Sequence, residues 1–218
     1  MKKVVGLVPV KANSERVKAK NLRPFGQTSL FELKLDQLSQ VKIFEDIVVS
    51  SEDDGVLARA SAKGFTTHKR DPALSTSNVP MSKVYSAIAN EIGGEHIAWV
   101  NVTNPLATED LYTDAIRIYD SLGDEFDCLL SVFELKEYVF YQNEPLNFSR
   151  APWARSQDLQ GMLAMSFAIN ILRRNDMVEW GSTVGNRPYL YICDRINSLD
   201  VDYQVDFDFC EHIYNQRS

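Results

Sequence analysis

The sequence predicts an α/β fold in which helices cover a mostly parallel sheet. Short apolar segments rich in β-branched residues alternate with segments whose apolar residues recur at helical spacing, and this alternation continues to about residue 133. The length of 218 residues suits one substantial hydrophobic core. We therefore expect one domain spanning residues 1–218, with residues 134–160 as an excursion from it.

The first half of the chain alternates predicted strands with predicted helices. The predicted strands cover residues 4–10, 44–50, 65–68 and 96–102, and the predicted helices cover residues 29–38, 53–63 and 79–92. Ser51 or Asp53 is expected to cap the second helix, and residues 76–78 the third, because their side-chain oxygens can accept from open backbone amides. Gly64 and the glycine doublet at 93–94 are expected to end these two helices.

The second half continues the alternation but interrupts it once. A helix over 111–122 with Thr108 as its cap, strands over 127–133, 166–170 and 189–193, and a helix over 203–214 are predicted. Residues 134–160 show neither period and hold five large aromatic residues: Tyr138, Phe140, Tyr141, Phe148 and Trp153. Because such residues are seldom left exposed in quantity, we expect this excursion to pack against a partner surface, that of a second copy of the chain.

Composition and charge exclude several classes of protein. The formal net charge is -7, so no extended basic face is available for nucleic acid. The apolar segment at residues 4–10 is too short to span a membrane and lacks a cleavage site, so neither a signal peptide nor membrane association is expected. Cys128, Cys193 and Cys210 have neither metal-ligand spacing nor an even disulfide framework, which favours the cytoplasm.

A cationic loop follows the first predicted strand. It holds one acid, Glu15, among its basic residues, which are Lys11, Arg16, Lys18, Lys20 and Arg23. In an acidic chain this is a local reversal of sign, and a bound anion such as phosphate would neutralise it. The alternative is a set of solvated lysines after an edge strand, because a basic run has low specificity.

Two carboxylates stand directly before the last predicted helix. Asp200 and Asp202 are two residues apart on an extended stretch, so their side chains can converge on one point. Adjacent carboxylates repel each other unless a cation lies between them, and Mg²⁺ prefers one or two carboxylates together with phosphate oxygens. The alternative is that Asp202 caps the helix while Asp206 interacts with the helix dipole.

The order of residues in the cationic loop resembles a known signature. Pro9, Lys11, Ser14 and the pair Lys20-Asn21 match, without a gap, the N-terminal signature of the acylneuraminate cytidylyltransferases (CMP-sialic acid synthetases and their relatives), commonly I-P-A-R-G-G-S-K-G-I-P-x-K-N-I. The chain departs from it where Lys11 replaces Arg, where Ala12-Asn13 replaces two glycines and where Glu15 replaces Lys. Asn is the non-glycine residue that best tolerates positive φ, so the loop shape can survive these changes.

Weaker likenesses to the same family run through the rest of the chain. Residues 50–53 resemble V-S-T-D with Glu52 for Asp, residues 69–74 resemble R-P-x-E-L-A, and residues 100–107 resemble L-Q-P-T-S-P-L-R with Asn101 for Gln and Ala107 for Arg. Residues 155–159 are close to R-R-Q-D-L-P, and residues 200–206 are close to D-I-D-x-x-x-D. Taken alone, residues 50–53 are typical of a helix cap, and we assign no catalytic role to them. An ion pair of Arg70 with Asp71 or another acid remains an alternative to a ligand contact.

The resemblance implies a three-layer α/β/α fold with a Rossmann-like sheet of the nucleotide-diphospho-sugar transferase type, and a homodimer. It also implies transfer of CMP from CTP to an acidic sugar of the nonulosonic acid type, with Mg²⁺ as cofactor. The roles that it implies are catalytic for Lys11 and Lys20, substrate-binding for Ser14, Asn21, Arg70, Asn101 and Arg155, and metal-binding for Asp200 and Asp202.

Two other functions stay open at this point. One is a nucleotidyltransferase that uses a different acceptor, such as a sugar phosphate, and the other is a non-catalytic nucleotide-binding relative. Since Ala107 carries no charge and Asn101 is shorter than Gln, we expect N-acetylneuraminate to be a poorer acceptor than a modified nonulosonic acid. The cations of the excursion, Lys136, Arg150 and Arg155, are the available partners for the acceptor carboxylate.

Overall fold

The computed structural model describes residues 1–12, 14, 17–76, 78–159 and 161–217. Within them the strands are β1 Val4–Val10, β2 Pro24–Phe25, β3 Thr28–Ser29, β4 Asp46–Ser51, β5 Thr66–Lys69, β6 His96–Trp99, β7 Cys128–Leu135, β8 Phe140–Tyr141, β9 Glu144–Pro145, β10 Met162–Arg173 and β11 Pro188–Ile192. The helices are α1 Leu30–Ser39, α2 Asp54–Ala62, α3 Met81–Glu91, α4 Glu109–Ser121, α5 Arg174–Trp180 and α6 Gln204–Arg217. Two short 3-10 helices cover Pro72–Ser75 and Ser156–Asp158.

The described strands form one seven-stranded sheet in the order β11-β7-β10-β6-β1-β4-β5, together with two small hairpins. β10 runs antiparallel to both β6 and β7, and the other neighbouring strands pair in parallel. The predicted mostly parallel α/β sheet is therefore confirmed. β1, β4 and β6 are neighbours, so the loops that leave their carboxyl ends meet at one edge of the sheet.

Helices lie on both faces of the sheet and give it three layers. On one face α1, α2 and α4 bury a cluster that includes Phe31, Val56 and Tyr112. On the other face α3 and α5 bury a second cluster that includes Ile88 and Met177. The three-layer prediction is confirmed, and in the described residues no helix is both long and apolar enough to cross a membrane.

Side-chain caps fix where several helices begin. Asp53 accepts from the amide of Val56 at 2.9 Å, which confirms its predicted capping role at α2. Thr108 accepts from the amide of Leu111 at 3.4 Å and caps α4 as predicted. The cap predicted for α3 at residues 76–78 is wrong, because that helix begins at Met81 behind Pro80 without a side-chain cap; Ser77 lies outside the described residues.

The predicted strand over 166–170 is only part of β10. Residues Met162 to Met165 also pair with the last four residues of β7, so the strand runs over twelve residues with an irregularity before Asn170. The excursion carries the β8–β9 hairpin and an aromatic cluster. In that cluster Tyr138 stacks on Trp153 with ring centroids 5.0 Å apart, and Phe148 packs edge-on against Tyr138.

Candidate nucleotide and metal site

One cavity of about 480 Å³ opens at the carboxyl ends of β1 and β6. Eight of the nine site residues predicted from the sequence line it: Lys11, Ser14, Lys20, Asn21, Arg70, Asn101, Asp200 and Asp202. The ninth, Arg155, is exposed and binds Asp158 through Nε at 2.6 Å and Nη2 at 3.0 Å. The cationic loop and the acidic pair, which lie at opposite ends of the sequence, therefore meet in one pocket.

The acidic segment is held by its backbone at Val201. The amide of Val201 donates to the carbonyl oxygen of Thr103 at 2.8 Å, and the carbonyl oxygen of Val201 accepts from Lys20 Nζ. The Val201 side chain is fully buried. Because neighbouring side chains on an extended segment alternate, Asp200 and Asp202 both line the pocket.

Asp206 supplies the helix-capping contacts beside this segment. Its Oδ2 accepts from the amides of Asp202 at 3.0 Å and Tyr203 at 2.7 Å, at the start of α6. A carboxylate is favourable there because it meets open amides and the positive end of the helix dipole. The stabilising role that the sequence indicated for Asp206 is confirmed.

Lys20 joins the two ends of the chain electrostatically. Its side chain is buried, and Nζ lies 3.8 Å from Asp202 Oδ1 while donating to the backbone of Val201. The ammonium group therefore compensates the charge of Asp202, and Lys20 also lines the pocket. A triphosphate in this pocket would share Lys20 with Asp202, and Lys11 lines the same cavity.

Asn21 holds the cationic loop through the backbone. Its Nδ2 donates to the carbonyl oxygen of Lys11 at 3.0 Å. The buried Oδ1 has no hydrogen-bond partner among the described residues. An amide oxygen only accepts hydrogen bonds, so it cannot bond to an unprotonated phosphate oxygen. Asn21 can thus orient a triphosphate by shaping the loop, and its Oδ1 suits a hydroxyl, an amino group or water.

Arg70 and Glu52 form a buried pair at the wall of the pocket. Arg70 is 1% exposed and donates to Glu52 Oε2, to the carbonyl oxygen of Val10 at 2.9 Å and to Ser75 Oγ at 3.1 Å. Glu52 Oε1 accepts from the amide of Ala12 at 3.1 Å. Burial tends to raise the pKa of Glu52, but its hydrogen bonds, above all that from Arg70, lower the pKa below the usual value.

The charge of Arg70 is therefore balanced inside the protein. The ion pair expected with Asp71 or another acid exists, and the acid is Glu52; Asp71 instead accepts from the amide of Ala73 at 2.8 Å. Sequence reasoning assigned Glu52 no role beyond the helix cap. Its contacts with Ala12 and Arg70 connect the loop after β1 to the loop after β4.

An aromatic wall closes the pocket beside Asn101, and sequence reasoning missed it. Tyr85, Trp99 and Phe167 line the cavity together with the predicted polar residues. Trp99 could have been found from its position, because it lies two residues before Asn101 on the same strand end. Phe167 could not, since its placement depends on a positive φ of 56° at the irregularity in β10.

Ala107 lies in the core and not in the pocket. Its side chain is fully buried in the cluster with α1 and α4. The replacement of the signature Arg by Ala at this position therefore does not change the wall of the pocket. Asn104, also fully buried, instead connects this loop to its surroundings. Its Nδ2 donates to the carbonyl oxygens of Ser166 at 2.9 Å and Leu199 at 3.1 Å. The acceptor prediction that rested on Ala107 loses that support.

The cations of the excursion have acidic neighbours in their own chain. Lys136 lies 3.3 Å from Glu134, and Arg150 lies 2.7 Å from Glu144. With Arg155 paired to Asp158, these three residues do not line the pocket of their own subunit. Their predicted contact with an acceptor therefore requires a second subunit.

Comparison with known proteins gives one family. Residues 5–181 match the sequence profile of a family described as Cytidylyltransferase. The chain is 21% identical to N-acylneuraminate cytidylyltransferase A of Danio rerio, over 95% of the chain and 50% of that protein, and 20% identical to N-acylneuraminate cytidylyltransferase of Escherichia coli, over 99% and 53%. It thus spans about half the length of these two relatives. It is 23% identical to pseudaminic acid cytidylyltransferase of Campylobacter jejuni, over 95% of the chain and 94% of that protein.

Solved structures share the fold at low identity. CMP:2-keto-3-deoxy-manno-octonic acid synthetase complexed with CTP superposes with a TM-score of 0.70 at 12% identity, covering 99% of this chain and all of that one. 4-Diphosphocytidyl-2C-methyl-D-erythritol synthase from Anaerococcus prevotii gives a TM-score of 0.69 at 11% identity, with 98% and 96% covered. These similarities establish the architecture.

Proposed function

The chain belongs to the cytidylyltransferase family, and from this premise we propose that it transfers CMP from CTP to an acidic sugar of the nonulosonic acid type and releases pyrophosphate. The observation that carries the proposal is the meeting of Lys11 and Lys20 with Asp200 and Asp202 in one cavity. Nucleotidyl transfer needs charge neutralisation and in-line placement more than covalent help, and this set of charges suits both.

The lysines act on the nucleotide. Lys11 and Lys20 bind the triphosphate and stabilise the charge that develops on the departing pyrophosphate. Asn21 and Glu52 hold the loop that carries Lys11, through the Lys11 carbonyl oxygen and the Ala12 amide. The backbone of Lys11 and Ala12 is thereby fixed before the nucleotide arrives, which lowers the entropic cost of binding.

The acidic pair fits a Mg²⁺ ion. Among the described residues no group of three or more His, Cys, Asp or Glu side chains could hold a metal ion. Two carboxylates that line the same cavity as Lys11 and Lys20 match a Mg²⁺ site that phosphate oxygens of the substrate would complete. Asp200 and Asp202 would hold the ion. When bound, it supplies positive charge to the phosphate oxygens near the attacking hydroxyl.

The acceptor is an acidic sugar, as the names of the relatives suggest. Relatives named for N-acylneuraminate and for pseudaminic acid both align with almost the whole chain. Asn101 and the aromatic wall of Tyr85, Trp99 and Phe167 form the side of the pocket away from β4. An apolar wall suits acyl or deoxy substituents, which N-acetylneuraminate shares with the modified nonulosonic acids. The expectation that N-acetylneuraminate is not the best acceptor therefore rests on Asn101 alone, whose side chain is one methylene shorter than Gln.

The assembly is a homodimer formed through the excursion. Phe140, Tyr141 and Trp153 are 58%, 63% and 63% exposed. Leu163 of β10 and Ile192 of β11 are also exposed and lie on one face of the sheet by their register with β7. Apolar surface of this extent is typical of a protein interface.

Free, buried cysteines support a reducing compartment, the cytoplasm.

Product identification tests the proposal. The chain is incubated with Mg²⁺, one of CTP, UTP or ATP, and one of N-acetylneuraminate, pseudaminate, 2-keto-3-deoxy-octonate or a hexose 1-phosphate, and the products are read by mass spectrometry. A CMP-linked nonulosonic acid is expected, with N-acetylneuraminate ranking below pseudaminate. A nucleotide-linked hexose instead would reassign the acceptor, and binding of CTP without any product would mark a non-catalytic relative.

A further inference from the structure

Trp99 presents a buried hydrogen-bond donor beside the pocket. It is the last residue of β6, only 4% exposed, and its ring packs edge-on against Tyr85 with centroids 4.6 Å apart. A buried indole N–H needs an acceptor, since an unpaired donor removed from water is unfavourable. The acceptor here is Asn101 Oδ1, 3.0 Å from Trp99 Nε1.

This contact fixes the orientation of the Asn101 amide. An indole nitrogen can only donate, so the atom that faces it must be the amide oxygen and not the amide nitrogen. A flipped amide would place its N–H₂ group against the indole N–H and leave the buried donor unpaired. The hydrogen bond from Trp99 therefore occupies Asn101 Oδ1 and leaves the Nδ2 end of the amide for a ligand.

The end that remains is a donor. Asn101 lines the cavity, and within the described part of the chain no protein oxygen accepts from its Nδ2. The pocket's buried cations have acidic partners nearby, Asp202 for Lys20 and Glu52 for Arg70. On the aromatic side of the pocket, the amide N–H₂ is thus a donor available to an oxygen of a ligand, in surroundings that strengthen hydrogen bonds.

We propose that Trp99 is a positioning residue that holds the Asn101 N–H₂ group toward the acceptor sugar, where it donates to the sugar carboxylate. The inference rests on the proposed function and goes beyond it by naming the group that Asn101 recognises. A carboxylate fits because it only accepts hydrogen bonds, whereas a hydroxyl can also donate and would bind either end of an amide. Under the proposed function Lys11 and Lys20 of the cationic loop bind the nucleotide, which leaves the side of the pocket at Asn101 for the sugar.

Kinetics separate the two substrates. KM is measured for CTP and for the nonulosonic acid that gives the highest kcat/KM. The variant Trp99→Phe keeps an aromatic ring against Tyr85 but removes the indole donor. Its KM for the acid should rise about 5-fold, since one hydrogen bond loses its fixed geometry, while its KM for CTP stays within about 2-fold. Asn101→Asp, which can still accept from Trp99 but repels a carboxylate, should raise the KM for the acid at least about 50-fold. Trp180→Phe, which removes an indole outside the pocket, is the matched control and should change neither.

Nuclear magnetic resonance provides a readout that does not need turnover. The chain has three tryptophans, and the Trp99 indole signal is the one lost in Trp99→Phe. In Asn101→Leu that signal alone should shift and lose protection from exchange. An unchanged Trp99 signal overturns the contact. In Asn101→Asp, an equal rise in both KM values indicates a general effect on the pocket and overturns the carboxylate assignment. A rise confined to the KM for CTP, or an unchanged KM for the acid, overturns it as well. An inactive wild type with a normal Asn101→Leu response counts against the proposed function and leaves the contact established.

Discussion

Replacing Lys34 by Met should remove a pH dependence from the free energy of unfolding. Lys34 lies on α1 with its side chain fully buried, and Nζ contacts the carbonyl oxygen of Asn104 at 2.8 Å and the hydroxyl of Tyr112. Within the described residues no carboxylate pairs with it. A neutral amine can satisfy both contacts with its two N–H groups, whereas an ammonium group has a third donor to place. Burial accordingly lowers the pKa of Lys34 from 10.5 to about 7.

The size and sign of the effect follow from proton linkage. The unfolded chain binds a proton at this lysine below pH 10.5, but the folded chain binds it only below about pH 7. Between these values the unfolded state holds more protons, so the free energy of unfolding rises with pH by about 1.4 kcal/mol per pH unit. The stability present above the unfolded pKa is lost as the pH falls toward 7, on the order of 5 kcal/mol in all. Burial also raises the pKa of Tyr112, which therefore stays protonated across this window.

Urea denaturation at several pH values measures this slope. Wild type, Lys34→Met and the exposed control Lys42→Met are compared between about pH 7.5 and 9.5. The wild-type curve should gain about 3 kcal/mol relative to Lys34→Met over that range, and Lys42→Met should run parallel to wild type. Lys34→Met also leaves the Asn104 carbonyl and the Tyr112 hydroxyl without their partner. This loss lowers the free energy of unfolding by the same amount at every pH, so it does not change the slope against pH. Parallel curves for wild type and Lys34→Met would refute the reasoning.

Three further outcomes are expected. Lys11→Ala and Lys20→Ala should weaken binding of CTP more than binding of cytidine in calorimetric titrations, because only the charged tail is lost; equal losses would indicate a structural role. Glu52→Gln leaves Arg70 buried without its counter-charge and should cost about 3 kcal/mol in urea denaturation at pH 7, more than Glu52→Asp, whereas a loss below about 0.5 kcal/mol would contradict the buried pair. Light scattering should find a dimer at micromolar concentration, and a monomer there would count against the excursion as an interface.

Local patterns predicted the framework of the molecule. The β-branched run of β1 and the helical spacing on α1 each reflect one periodicity, and burial in the structure follows it. The cationic loop and the acidic pair were predictable because parallel strands bring their carboxyl ends to one edge, and because residues two apart share a side. The cavity that they line agrees with both arguments.

Contacts between distant residues were not predictable in the same way. Lys34 is a lysine on the buried face of α1. Its burial depends on contacts with Asn104 and Tyr112, which follow about seventy residues later in the chain. An ion pair of Arg70 with an acid was one of two predictions for this residue, but nothing in the local sequence identifies Glu52, eighteen residues earlier, as that acid. Pairing partners of this kind are set by tertiary packing, on which a single sequence carries little information.

The turnover of Asp202→Asn tests the proposed chemistry most directly. The substitution is nearly isosteric and keeps the capping contacts of Asp206, but it removes a charge from the site assigned to Mg²⁺ and from the ion pair with Lys20. Pyrophosphate release from CTP is measured at saturating Mg²⁺ with the best acidic acceptor, and circular dichroism checks the fold. We predict that turnover is abolished while the fold is retained; activity within a few-fold of wild type would contradict the metal site and the transfer mechanism built on it.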